Sequence, residues 1–277
     1  MARQHIDILC SGKMAGRGYV GNGVNKAANY LVKTLRANGV SGWSDCYYHP
    51  FTMPVLSFPR IELRLDGRLL VPGVDYQVDE NWHPGAYKLI SSLQFFHPED
   101  TNRLKLGTLP PANATPVIPD DIWKKPHLAR AILRWLSTVA NRIGEVCLIS
   151  TSRFPAWSVG TGGLPIGLIR VRDSVLQGKG RLELKVRSKY YADFPSRNVM
   201  AAVPGTRRPD SLLVLTAHYD HLGRMGKAIY PGANDNASGV ALLLDLAAEI
   251  AKKPLPYTTV FVFFAGEEAG LLGSEAL

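Results

Sequence analysis

The sequence predicts an α/β protein: a mixed, largely parallel sheet flanked by helices, with a mostly β domain inserted into it. Two observations carry this reading. The stretch 211–277 runs apolar segment (212–215), glycine-containing loop (up to Gly239), apolar helical pattern (240–251) and second apolar segment (258–264). By length and flanks this is strand, loop, helix, strand, and the two apolar runs lack the alternation of a half-exposed strand. They suit parallel strands covered on both faces. From about Pro59 to Asp193 the pattern changes to short alternating runs separated by turn residues.

In chain order, the spacing predicts an amphipathic helix over 23–38, with Val24, Ala28, Leu31 and Leu35 on one face and Gly39 as its stop. The turn Ala15-Gly16-Arg17 ahead of it reads, on its own, as a flexible loop before a surface helix. Residues 47–51 read as a strand. Ile61, Leu63 and Leu65 alternate, Asp66-Gly67 makes a tight turn and Leu69 and Val71 follow, which is a β-hairpin. Residues 80–125, rich in Pro, Asn and Trp, read as loops and short strands; His83 and His97 each precede a proline and read as turn residues. Residues 126–143 form a helix with Leu128, Ile132, Trp135, Leu136 and Val139 on one side and Pro126 in its first turn. Strands follow at 146–149 and 165–171, then a half-exposed strand carrying Leu182, Leu184 and Val186. A strand at 199–203 precedes the turn Pro204-Gly205. The division expected is 1–58 with 194–277 as one domain and 59–193 as the insertion.

The composition narrows the function classes. The net charge of +9 would suit a nucleic-acid partner, but the basic residues form only doublets such as Lys124-Lys125, Arg207-Arg208 and Lys252-Lys253. No basic helix accompanies them, so a solvated surface is the reading, without nucleic acid. No apolar run reaches membrane-span length. Cys10, Cys46 and Cys147 fit no zinc-finger or redox spacing and read as small buried residues.

The chemistry concentrates in 211–277. His218 and Asp220 follow the first apolar run, Asp235 precedes the helix, and Glu267-Glu268 follow the second run. Each alone has an ordinary explanation: a structural histidine, a helix cap, a solvated helix start. Together they fall at the carboxyl ends of adjacent strands, where open α/β sheets bind ligands. Carboxylates crowded there repel unless a cation sits among them. One imidazole with carboxylate oxygens suits zinc.

The sequences Ala217-His218-Tyr219-Asp220, Gly232-Ala233-Asn234-Asp235-Asn236-Ala237-Ser238-Gly239 and Gly266-Glu267-Glu268 closely resemble those of the di-zinc aminopeptidase superfamily. That superfamily includes bacterial leucyl aminopeptidases, glutamate carboxypeptidase and glutaminyl cyclase. The resemblance implies two zinc ions: His218 binding one, Asp235 bridging both, Glu268 binding the other. It implies Glu267 as general base, Asp220 orienting the His218 ring from behind, and a cis peptide after Asp235. The Ala15-Gly16-Arg17 turn resembles the opening of many bacterial members. The inserted region resembles their protease-associated domain, more by position than by motif.

The function expected is therefore a zinc-dependent exopeptidase, an aminopeptidase acting on peptides. Two readings compete: a non-catalytic member of the same fold, as in the transferrin receptor, and a glutaminyl cyclase-like enzyme, which departs from the Asp-Asn-Ala-Ser-Gly form found here. A basic interaction protein without a metal site would leave the crowded carboxylates unexplained. Relatives supply a further Asp and His after the Glu-Glu strand, and 270–277 offer neither. The expectation is the front part of a longer enzyme, inactive alone, with an apolar patch exposed around 260–264. The opening Met1-Ala2-Arg3-Gln4-His5 lacks the apolar core of a signal peptide. The compartment expected is extracellular or periplasmic, with the signal outside this sequence and the cytoplasm as the alternative.

Overall fold

The computed structural model describes residues 2–80, 82, 84–96, 114–143, 146–164, 166–176 and 180–277. His83, His97 and Pro165 lie outside them, as does the side chain of Val139. The strands, in chain order, are β1 (Ser41–Gly42), β2 (Tyr48–Leu65), β3 (Arg68–Leu69), β4 (Tyr76–Val78), β5 (Gly85–Phe95), β6 (Ala114–Pro119), β7 (Val146–Thr151), β8 (Gly167–Arg172), β9 (Arg181–Val203), β10 (Arg208–His218), β11 (Arg224–Met225), β12 (Ala228–Ile229) and β13 (Tyr257–Phe264). The longer helices are Ala2–Leu9, Gly23–Ala37, Pro126–Ile143 and Ser238–Lys252. No helix among the described residues is long and apolar enough to cross a membrane. The protein is α/β with a mixed sheet, as its sequence predicts.

The chain divides into two compact units, 1–55 with 191–224 and 229–277, and 56–190 with 225–228. In the first, β10 pairs β13 in parallel, β13 pairs the 199–203 end of β9 antiparallel, and β9 pairs β1 antiparallel. Helix Ser238–Lys252 is the crossover between β10 and β13 and packs on both. It buries Val240, Ala241, Leu243, Leu244, Ala247 and Ala248, one helical face. Helices Ala2–Leu9 and Gly23–Ala37 pack against it in turn, the latter through fully buried Val24, Ala28, Leu31 and Leu35. The polar opening of the chain is thus helical, which its short length hid.

The exposed apolar patch lies elsewhere than its sequence suggests. Val260, Phe261, Val262 and Phe263 are at most 3% exposed: β13 has a paired strand on either edge, and helix Ser238–Lys252 packs on it. Among the described residues β10 pairs only β13, and its Leu212, Leu213 and Val214 are 52%, 39% and 50% exposed.

In the second unit, β5, β6, β7 and β8 run parallel in that order, and β9 and β4 close the two ends antiparallel. Helix Pro126–Ile143 crosses from β6 to β7. Its Ile132, Trp135 and Leu136 join Ile118, Cys147, Ile149 and Leu168 in one core, with Leu128 packed at the edge. The 66–67 turn closes the hairpin of β2 and β3, with Leu65 opposite Arg68. The stretch expected to hold only short strands contains the 11-residue β5. Its Lys88, Ser91, Ser92 and Gln94 mask strand periodicity; pairing with β9 on one side and β6 on the other forms it.

The cysteines differ from their expected burial. Cys147 is fully buried, but Cys10 is half-buried and Cys46 exposed. Cys46 belongs to the turn bridging Trp43 before β2, where the chain runs over the surface.

Candidate metal centre

The parallel register of β10 and β13 sets His218 opposite Phe264, so both strands end at one edge. Tyr219 N–H donates to Phe264 O at 2.8 Å, which keeps the two exits together. The third segment is the turn Ala233–Ala237 that opens into helix Ser238–Lys252. The Asp235–Asn236 peptide bond there is cis, as the resemblance implies.

These exits gather the residues singled out in the sequence. His218 Nε2 lies 3.0 Å from Asp235 Oδ1, and its Nδ1 lies 3.7 Å from Asp220 Oδ1 and 3.8 Å from Glu267 Oε2. Asp220 is fully buried. It accepts hydrogen bonds from Tyr19 Oη at 2.9 Å and from the amides of Glu267 and Glu268 at 3.3 and 3.4 Å. One buried carboxylate therefore fixes the backbone of both glutamates and stands behind the His218 ring.

His221, one residue beyond the first motif, also reaches the site. Its Nδ1 meets Glu268 Oε1 at 2.5 Å, and its ring is admitted by Gly232. Gly232 has φ +57, and a Cβ there would approach His221 Cδ2 and Asp235 O to 2.3 Å. The available signal was a second histidine three residues after the first, at the same strand exit.

Two sets of side chains can converge on a cation, His218 with Glu267 and Glu268, and His221 with Asp235 and Glu268; within each, ligand atoms lie within 4.8 Å of one another. Four carboxylates, Asp220, Asp235, Glu267 and Glu268, crowd this edge. Burial raises the pKa of Glu267, and the neighbouring carboxylates add to this against the opposing pull of His218. Burial would lower the pKa of His218, but Asp220, Glu267 and Asp235 outweigh it and raise the value to about 9. His218 Nδ1 is buried and has no hydrogen-bond partner among the described residues. Crowded anions and imidazole nitrogens fit a zinc ion held by nitrogen and oxygen. A cavity of about 310 Å³ opens beside the cluster, lined by His218, Glu267, Asn236, Phe264 and Leu271.

Residues 198–277 match Peptidase family M28. Over 82 residues the chain is 45% identical to a probable zinc metalloprotease of Pyricularia oryzae, an overlap of 28% of this chain and 16% of that one. Over 113 residues it is 30% identical to aminopeptidase YwaD of Bacillus subtilis, 40% of this chain and 24% of that one. In structure it resembles the zinc aminopeptidase BSAP of Bacillus subtilis, with a TM-score of 0.65, 19% identity, and coverage of 99% of this chain and 63% of that one. It also resembles the aminopeptidase of Aneurinibacillus sp. strain AM-1, with a TM-score of 0.56, 16% identity and coverage of 99% and 65%. At such identities the structural likeness shows the fold. The chain spans about a quarter or less of the curated relatives and just under two thirds of these two structures.

Proposed function

We propose, from the match of residues 198–277 to Peptidase family M28, that the protein is a zinc-dependent aminopeptidase removing N-terminal residues from peptides. The observation that carries the reading is the meeting of His218, Asp235, Glu267 and Glu268, from three separate segments, beside a cavity that His218 and Glu267 line. His218 and Asp235 would hold one ion, and Asp235 and Glu268 a second. Zinc supplies Lewis acidity, lowering the pKa of a water to about 7 and polarising a carbonyl.

The other steps belong to the chain. Glu267 takes the proton of the attacking water on its carboxylate and returns it to the leaving amine. Its raised proton affinity brings the carboxyl closer to working pH, which favours both halves of that transfer. Asp220, through the amides of Glu267 and Glu268, keeps base and ligand in fixed relation, and His221 steadies Glu268 by holding one of its oxygens. Phe264 and Leu271 offer an apolar wall to the substrate side chain. The unit of 56–190 and 225–228 takes the part of the protease-associated-like insertion.

Because the chain covers 63% of the BSAP structure, the activity is proposed for the longer polypeptide. The resemblance assigns two ligands per ion from the 277-residue chain, which by itself is expected to bind zinc weakly and turn over no peptide. The test is hydrolysis of leucine p-nitroanilide with zinc content measured alongside. In the active polypeptide Glu267→Gln should retain zinc and lose about 10²–10⁴-fold in kcat. Turnover at the parent rate, or loss of zinc together with turnover, would overturn the assignment of Glu267.

A further inference from the structure

Arg17 is fully buried, and every donor of its guanidinium is used. Nε donates to Tyr219 O at 2.9 Å. Nη1 donates to Leu9 O at 3.1 Å and Pro231 O at 2.7 Å, and Nη2 to Gly232 O at 2.8 Å and Asp235 O at 3.4 Å. An arginine has five N–H donors in a fixed fork, and here all five meet main-chain carbonyls. None of these acceptors is a carboxylate, so the fork does not serve as half of an ion pair.

Four of the five acceptors fall on or beside two of the three segments that build the centre, and the fifth, Leu9 O, ends the first helix. Tyr219 lies between His218 and Asp220. Gly232 and Asp235 bound the turn that carries the candidate bridging carboxylate. The geometry that aims the side chain inward is itself unusual: Ala15, Gly16 and Arg17 have φ of +49, +66 and +50. A Cβ on Gly16 would meet Gly223 O at 2.3 Å and Tyr230 O at 2.6 Å. Main-chain bonds hold the turn to the same loop, His221 N–H to Arg17 O at 3.3 Å and Gly223 N–H to Gly16 O at 3.0 Å.

Removing a charge from water is unfavourable unless something nearby compensates. Burial weighs most and lowers the pKa of Arg17, and Cys10 and then the negative charges of Asp220 and Glu268 oppose it. A neutral side chain could fill the same space, but it would take a donor from each of five carbonyls, of which Gly232 O keeps the Ala237 amide, and would leave the carboxylate cluster without its fixed cation.

We propose that Arg17 is a positioning residue of the metal centre: its fork sets the spacing between the His218 strand exit and the Asp235 turn, and its charge lets the carboxylates crowd together before a metal binds. The proposal rests on the zinc reading above, but one of its two tests does not. Arg17→Lys keeps the charge and loses the five-donor fork; Arg17→Met removes both.

Hydrogen exchange is measured on the chelator-treated chain, and zinc affinity on the active polypeptide by competition with a chromophoric chelator. Arg17→Lys should leave β13 and helix Gly23–Ala37 as protected as in the parent. It should speed exchange across 232–237, where Ala237 N–H is held by Gly232 O at 3.1 Å. Zinc affinity should fall by about 10–100-fold, the usual effect of losing a group that orients ligands, and Arg17→Met should lose more than Arg17→Lys. If the lysine variant keeps parental protection at 232–237 and parental zinc affinity, the proposal is wrong. Faster exchange spread evenly over the unit, with zinc affinity unchanged, would make Arg17 a fold residue only and also overturn it. If the parent active polypeptide itself failed to bind zinc, the metal reading would fall, while the exchange pattern would still decide whether Arg17 orders the turn.

Discussion

Tyr19→Phe isolates one hydrogen bond to the buried carboxylate beneath the candidate site. The ring stays edge-on to Phe194, with centroids 5.3 Å apart, so only the hydroxyl is lost. That hydroxyl donates to Asp220 Oδ2 at 2.9 Å, while the remaining donors, the Glu267 and Glu268 amides, stand at 3.3 and 3.4 Å. Asp220 is fully buried, so water cannot replace the lost donor without entering the core. A hydrogen bond to a charged group is worth about 1.5–3 kcal/mol. At about 2–4 °C per kcal/mol for a domain of this size, Tm should fall by about 3–12 °C. Thermal unfolding in excess chelator is the assay, since bound metal would add its own stabilisation. A double-mutant cycle with Asp220→Asn should then show a coupling of about 1 kcal/mol or more. Additivity within about 0.5 kcal/mol would mean that the pair does not interact, and would refute the view that Tyr19 holds Asp220.

Two further outcomes follow from the same geometry. In metal-free protein, the folded His218 pKa of about 9 lies above its ordinary value of 6.5. Its contribution is therefore full below pH 6.5 and is lost as pH rises through about 9. The urea midpoint in chelator should decline across that window, and His218→Asn should flatten the decline; a flat parental profile would contradict it. On β10, Leu212 and Val214 share one face of an exposed strand. The chain should self-associate with rising concentration by light scattering, and Leu212→Lys with Val214→Lys should suppress this at little cost in Tm. Unchanged association would place the contact elsewhere.

Much of the candidate centre was legible in the sequence because each chemical residue ends an apolar run or opens a helix. A strand that ends at His218 and another that ends before Glu267 need only the parallel crossover of helix Ser238–Lys252 to bring those residues to one edge. Asp235 stands at that helix's entrance, so local pattern and the connection rule together gather the set. The same logic found the buried face of Gly23–Ala37 and the hairpin at Asp66-Gly67.

What local pattern could not supply was every contact made across the chain. Arg17 and Tyr19 meet Tyr219 and Asp220 about 200 positions away, and no periodicity encodes that meeting. In the sequence Arg17 follows a glycine in what reads as a flexible loop; its burial depends on five carbonyls that exist as a cluster only once both loops are folded. His221 gains its role from the proximity of Glu268, and β5 exists through its neighbours rather than its own alternation. The exposed patch was misplaced by one strand for the same reason. The apolar runs of β10 and β13 look alike in sequence, and only strand order decides which is enclosed and which is left at the edge. Local residue chemistry thus determined which groups this protein brings to its site, and the tertiary structure decided what holds them in place.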